Sequence, residues 1–307
     1  MTRHTDRPDG GPRTGRTRTP RPSGRTLLHR CLHVPDFTPA LTPVEEHGAI
    51  LVKREDAWSY RGASGAKARA LLTAARDSAG ILSVGARISP QLERAALTAH
   101  ALAIPARLHT GAGADTAETA LATAAGARLI RHTPARLSVL RARYRADAQR
   151  HAAHGWACIP YGMNHPTYLA QVAEQAAQLP LRPRRIVLPV GSGMTLAAVL
   201  RGLDEAADPT PVLGIRVGSD PRPALDRHAP PGWERRVEFR TPPRAYEAPA
   251  HKPDPHAPLA ALHALLDPHY EAKTLPYLQP GDLLWTVGTR SSALTEHAAQ
   301  HLPRLPS

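Results

Sequence analysis

From about residue 48 the sequence alternates short aliphatic runs with stretches of helical apolar period. This alternation constrains the fold more than any other feature. The runs 50–53, 81–84, 106–110, 127–131, 157–159, 185–190, 212–217 and 283–287 read as strands. Between them 65–76, 89–102, 115–125, 134–154, 166–179 and 195–204 read as helices. Strand and helix repeated this often predict an α/β protein with mostly parallel sheets and helices on both faces. The segment 220–258, rich in Pro, Arg and charge, reads as a long surface excursion. No repeat of fixed period is visible.

At 307 residues the chain is long enough for one large domain or two smaller ones. No apolar run approaches the ~20 residues that span a bilayer. The N-terminus lacks the apolar stretch of a secretory signal. Two cysteines, Cys31 and Cys158, cannot make a disulfide framework or a Cys-rich zinc site, so a reduced, cytoplasmic setting is expected and no membrane association. No His-Glu-x-x-His motif occurs among the 17 histidines, and no catalytic metal is expected.

The formal net charge is +13, which suggests an acidic partner. Only Lys53, Lys67, Lys252 and Lys273 are lysines among the 39 basic residues, a skew that a GC-rich coding bias would also produce. Aromatic residues are 4% of the chain, too few for an evident base-stacking platform, so nucleic acid is not the expected partner. Residues 1–25 hold seven arginines, two aspartates and hardly any large apolar side chain. Such a segment cannot offset its ordering entropy and reads as a disordered basic arm.

Three segments carry chemistry. Lys53-Arg54-Glu55-Asp56 is followed by Gly65-Ala66-Lys67-Ala68-Arg69. A lysine just past a glycine turn at a helix start lies near backbone N–H groups and the positive dipole end, which favours its neutral, nucleophilic form. A solvated lysine on a first helical turn has the same local sequence. Pro189-Val190-Gly191-Ser192-Gly193-Met194-Thr195 joins a strand to a helix. Glycines there let backbone amides close on an anion at a helix N-terminus, and Ser192 and Thr195 add hydroxyls. It is neither a Walker loop nor a nucleophile elbow, and an ordinary tight turn is the plainer alternative. The third segment, Asp267-Pro268-His269-Tyr270-Glu271-Ala272-Lys273, precedes the last strand; read alone it is a solvated loop.

Together the three segments resemble those of fold-type II pyridoxal-phosphate enzymes of the aminocyclopropane-carboxylate deaminase and D-cysteine desulfhydrase group. The resemblance spans about residues 45 to 290. It implies a two-domain fold: residues 26–80 and 160–307 would form the larger, cofactor-binding domain and 81–159 the smaller α/β domain. It implies pyridoxal 5′-phosphate held by Lys67, with the cofactor phosphate at Gly191, Ser192, Gly193, Met194 and Thr195. It places Glu271 at the pyridine nitrogen and Tyr270 near the substrate. It also implies a homodimer. Apart from the resemblance, Tyr270 and Tyr246 are the candidates for acid or nucleophile.

Two departures stand out. Where the family has a Ser-Asn-Gln or Ser-Asn-His turn, this chain has Ser89-Pro90-Gln91; where it often has Thr-Gly-Gly, this chain has Val287-Gly288-Thr289. Ser89 and Pro90 suit the N-cap and first position of a helix. Ser89, Gln91 and the nearby amides remain candidates for holding a substrate carboxylate. The expected activity is that of a lyase or deaminase: Cα deprotonation of a small amino acid, then β-elimination or ring opening to a keto acid and ammonia, with sulfide if the substrate is cysteine. A cofactor-binding protein without turnover, and a nucleic-acid-associated protein using the arginine-rich arm, remain the alternatives.

Overall fold

The computed structural model describes residues 41–243, 248–251 and 259–288, which fall within one unit of the chain. The arm at 1–25, Cys31 and Tyr246 lie outside the described residues. The chain opens with a hairpin of β1 (Val44–His47) and β2 (Ile50–Lys53), then a two-strand ribbon of β3 (Ser59–Tyr60) and β4 (Ala63–Ser64) that runs into α1 (Gly65–Ala75). A second layer system follows: β5 (Ile81–Val84), α2 (Pro90–Ala101), β6 (Ala106–Gly111), α3 (Ala117–Ala124), β7 (Arg128–His132), α4 (Leu137–Ala152) and β8 (Ala157–Ile159). The chain then passes through α5 (Pro166–Ala177), β9 (Arg185–Val190), α6 (Met194–Glu205), β10 (Val212–Arg216), α7 (Arg222–His228), β11 (Val237–Arg240), α8 (Ala260–Leu265) and β12 (Asp282–Trp285).

The strands form a six-stranded sheet in the order β1-β2-β12-β9-β10-β11 and a four-stranded sheet in the order β7-β6-β5-β8. Every pairing in the smaller sheet is parallel. In the larger sheet only the β1–β2 hairpin is antiparallel. Central strands such as β9 (Arg-Ile-Val-Leu-Pro-Val) are apolar on both faces because helices and the 271–277 segment cover both sides. Capping follows the sequence: Ser89 caps α2 with Pro90 at its first position, and Thr116 and Thr119 close a reciprocal capping box on α3.

Pro189 sits in the middle of the larger sheet, where a missing N–H is usually not tolerated. Its position resolves the difficulty. Pairing of β9 with β12 ends at Val187↔Leu284, two residues earlier, while pairing with β10 continues to Val190↔Arg216. The chain after β12 is therefore released from β9 where the ladder lacks a donor.

The segment read as a surface excursion is corrected in its first half. Residues 222–240 contain α7 and β11, which extends the sheet in parallel register with β10, Val237 opposite Val212. Leu225 and Trp233 are buried, and Trp233 meets Phe239 edge-on at 6.3 Å between ring centroids. A few apolar anchors among many arginines suffice to fold it. The hairpin strand β1 also goes unanticipated, because Glu45 and Glu46 interrupt its apolar signal.

Helices α5 and α6 approach very closely at Gly202. A Cβ built there would lie 2.0 Å from the carbonyl oxygen of Ala173. Gly202→Ala is expected to lower stability by about 2 kcal/mol or more, the cost of forcing packed helices apart. Chemical denaturation checks this; an unchanged midpoint would refute the contact.

Candidate active site

The carboxyl ends of parallel strands are where open α/β sheets hold ligands. Here the chain leaving β9, β10, β11 and β12 lines one cavity of about 540 Å³ with the turns after β5 and β8. Lys67, Ser89, Gln91, Gly191, Ser192, Thr195, Tyr270 and Glu271 all line it. Eight residues singled out from the sequence, scattered over 200 positions, thus share one wall system. Gly193 and Met194 stand behind the wall: Gly193 caps α6 with φ of 87°, and Met194 is buried in the core.

Lys67 lies half-buried on the first turn of α1. The turn before it needs glycine. Gly65 has φ of 86°, and a Cβ there would come within 2.9 Å of the Val287 carbonyl oxygen. That oxygen accepts a hydrogen bond from the Ala66 N–H at 3.2 Å. The helix is anchored from below by Arg69, whose Nη2 meets Glu55 Oε2 at 2.7 Å with both side chains buried. The Thr42 hydroxyl donates to the other Glu55 oxygen at 2.9 Å. The Lys-Arg-Glu-Asp stretch and the Gly-x-Lys-x-Arg stretch are therefore parts of one buried contact. Lys53 is buried as well, donating to the Thr42 carbonyl at 2.5 Å, and burial lowers its pKa to about 8.

Glu271 is buried at the start of a short 3-10 helix (Glu271–Tyr277), not in a solvated loop. Its Oε1 accepts the N–H groups of Val287 at 3.0 Å and Gly288 at 3.2 Å. Its Oε2 is buried without a hydrogen-bond partner. Burial, with the charge of Asp267 beside it, pushes its pKa up to about 7. Asp267 lines the cavity too.

The 191–195 turn is held from several directions. The Gly191 N–H donates to the Tyr270 hydroxyl at 2.9 Å. The Ser192 hydroxyl donates to the Gly162 carbonyl at 3.1 Å, and Thr195 Oγ1 lies 2.8 Å from the buried Tyr168 hydroxyl. No side chain caps α6 at this turn. On the opposite wall Ser89 caps α2, its hydroxyl accepting the Gln91 N–H at 3.4 Å. The Gln91 side chain braces the wall: it donates to Ser83 Oγ at 3.0 Å and the Pro160 carbonyl at 2.8 Å, and accepts the Met163 N–H at 3.1 Å. Both its amide hydrogens are thus committed to the wall. The Gln91 side-chain amide acts as a brace in this structure, while Ser89 lines the cavity beside it.

Two arginines of the cavity carry no signal in the sequence motifs. Arg94, buried on α2, donates to the carbonyls of Ser64 at 3.1 Å and Gly288 at 2.8 Å. Arg216 ends β10. The available signal was positional: a charged residue at the carboxyl end of an apolar strand run marks the ligand side of a parallel sheet. Among the described residues no group of three or more His, Cys, Asp or Glu side chains is placed to hold a metal ion, and no helix is long and apolar enough to cross a membrane.

No protein-family profile and no curated protein matches the chain. Solved structures do. A structure described as an ACC deaminase homologue superposes with a TM-score of 0.64 at 20% identity, over 86% of this chain and 94% of that one. An L-serine ammonia-lyase from the fungus Rhizomucor miehei gives 0.53 at 15% identity, over 85% and 97%. A pyridoxal 5′-phosphate-dependent aspartate racemase gives 0.56 at 11% identity, over 82% and 90%. At these identities the likeness is one of fold: the chain has the α/β fold of fold-type II pyridoxal-phosphate enzymes.

Two predictions follow from the buried charges around α1. Arg69→Met leaves the Glu55 carboxylate buried and unpaired, and should cost about 3–5 kcal/mol in denaturant unfolding. The Arg69→Met, Glu55→Gln double variant should recover part of that loss; strict additivity would show that the pair does not interact. For Lys53 the folded state gives up its proton near pH 8 while the unfolded chain keeps it to about pH 10.5, so this group's contribution rises with pH in between. The stability of wild type minus that of Lys53→Met should climb by about 2 kcal/mol from pH 8 to 10; a flat difference would mean the amine is solvated.

Proposed function

We propose that this protein is a pyridoxal-phosphate-dependent enzyme of the lyase and deaminase kind, acting on a small amino acid. The observation that carries the reading is the convergence of Lys67, Glu271 and the 191–195 turn on one cavity. The residues fit the group. The cavity volume of about 540 Å³ is within the ordinary range for cofactor sites. The Oε2 of Glu271 is a buried acceptor without a partner, the complement a protonated ring nitrogen needs. The start of α6 has no side-chain cap, which suits a phosphate at its N–H groups. The similar solved structures include an ACC deaminase homologue, an ammonia-lyase and an amino-acid racemase, which supports a reading built on amino-acid chemistry.

The bound cofactor supplies an electron sink for charge released at Cα. Lys67 would hold it, and its free amine would take the Cα proton. Glu271 keeps a proton at the ring nitrogen; a carboxyl with pKa near 7, already fixed through Oε1, can share that proton without moving. The Ser89 hydroxyl, at the start of α2 and on the cavity wall, would receive the substrate carboxylate. Tyr270, fixed through its hydroxyl by the Gly191 amide, presents its ring and hydroxyl to the cavity as the candidate acid. With water as co-reactant, loss of a β-leaving group or opening of a strained ring would end in a keto acid and ammonia, the water oxygen becoming the keto oxygen.

A second reading, cofactor binding without turnover, is favoured by Pro90, which offers no side-chain donor where the resembling enzymes carry an asparagine. Product formation separates the two. Wild type incubated with pyridoxal phosphate should gain a visible absorbance band. Borohydride should bleach it and leave a mass addition on the peptide containing Lys67. Lys67→Ala should show neither; a borohydride-stable adduct elsewhere would refute the assignment. Keto acid formed from one member of an amino-acid panel establishes the enzyme, and a band with no product from any member establishes the binding protein. Glu271→Gln should keep the band and slow Cα hydrogen exchange by on the order of tenfold or more.

A further inference from the structure

Resting on the cofactor reading above, we propose that Arg216 is the cationic partner of the phosphate group seated at the 191–195 turn. In this chain the anion would then be held by a side-chain charge as well as by backbone amides. Arg216 is the last residue of β10, and in the parallel register its Cα lies opposite that of Val190, the residue just before Gly191. Neighbouring strands are about 4.8 Å apart, well within the reach of an arginine side chain. Alternate residues of a strand share a face, so Arg216 lies on the same face of the sheet as Val190, Leu188 and Val212. This is the face of the larger core cluster, which includes residues of α6.

The turn that follows Arg216 is pressed against the 191–195 turn. Val217 and Gly218 donate their N–H groups to the Val190 carbonyl at 3.0 and 3.3 Å. A Cβ on Gly218 would come within 2.8 Å of Gly191 Cα. The two strand ends thus form a single platform, with Arg216 and Ser192 both lining the cavity. The Arg216 Nε is buried without a hydrogen-bond partner, and among the described residues no ion pair includes this guanidinium. A buried N–H on a permanent cation is costly unless an acceptor meets it. An oxyanion in the cavity is the acceptor of matching charge, and the fork of an arginine suits a phosphate.

The same guanidinium chemistry also suits an acidic group on a substrate, and the test separates these sources. Wild type, Arg216→Gln and Arg216→Lys, each checked by circular dichroism, are titrated with pyridoxal phosphate and with pyridoxal, which lacks the phosphate. Arg216→Gln should weaken pyridoxal phosphate binding about tenfold or more and leave pyridoxal binding within about twofold, with Arg216→Lys in between. Inorganic phosphate should raise the melting temperature of wild type and do so less for Arg216→Gln. Equal affinity of wild type and Arg216→Gln for pyridoxal phosphate overturns the proposal while leaving the cofactor reading intact. Should only the spectral response to acidic amino acids disappear, Arg216 serves the substrate and the proposal also fails. Absence of any pyridoxal phosphate binding by wild type sinks the cofactor reading; a phosphate-dependent melting shift that needs Arg216 would then still support an oxyanion site.

Discussion

The peptide groups of Val287 and Gly288 are the point on which the rest of the site depends. Their two N–H groups go to one oxygen of Glu271, and the two carbonyls go to Ala66 and Arg94. A dipeptide just past β12 therefore ties the 271–277 segment, the turn carrying Lys67, and helix α2 together. The arrangement needs the chain to leave β9 early, and it does so beside Pro189, where the ladder has no donor to offer. It needs Gly65, because any Cβ would strike the Val287 carbonyl. Hydrogen bonds to a charged group contribute about 1.5–3 kcal/mol each, so the bonds that aim Glu271 also hold the two sheets' connections together.

Burial of charge around α1 is the accompanying cost. Glu55, Arg69, Lys53 and Arg94 are all nearly inaccessible to solvent. A hydrophobic replacement of such an ion pair is often neutral or stabilising, so stability alone does not account for keeping it. Direction does. The Glu55–Arg69 contact at 2.7 Å fixes the rotation of α1 about its axis, and Lys67 sits two residues before Arg69. Residues two apart on a helix point to different sides, so anchoring Arg69 inward directs Lys67 away from that contact and toward the cavity wall.

What could be read from the sequence was what local pattern encodes. The strand and helix alternation survives nearly element for element, because burial on both faces of a parallel sheet forces continuous apolar runs. The Gly-rich turn and the first turn of α1 were legible because glycine and capping residues mark them. Less legible were features set by distant partners. Strand β1 carries two glutamates, one of which meets Arg54, the residue just past β2. Glu271 looks like a loop carboxylate until residues 287 and 288 arrive to bind it. Gln91 reads as a polar group at a helix start, and only the positions of Ser83, Pro160 and Met163 turn it into a brace. In each case the deciding atom belongs to a residue far along the chain or on a neighbouring element.

The same sheet order gives the cavity an electrical direction. Glu271 binds the chain leaving β12, and Asp267 lies near it in sequence; Arg216 ends β10, with β9 between. These groups reach the cavity from strand ends two spacings, about 10 Å, apart, and Arg94 adds a cation on the Glu271 side. The field between opposite charges in a recess is screened less than at an open surface. Such a field favours a ligand with a proton-bearing nitrogen at one end and an oxyanion at the other, and disfavours the reverse orientation by the same interaction. Lys67 enters the same cavity from α1. The orientation of such a ligand would then be biased by charge before any covalent contact forms, and that bias follows from a strand order written by hydrophobic burial.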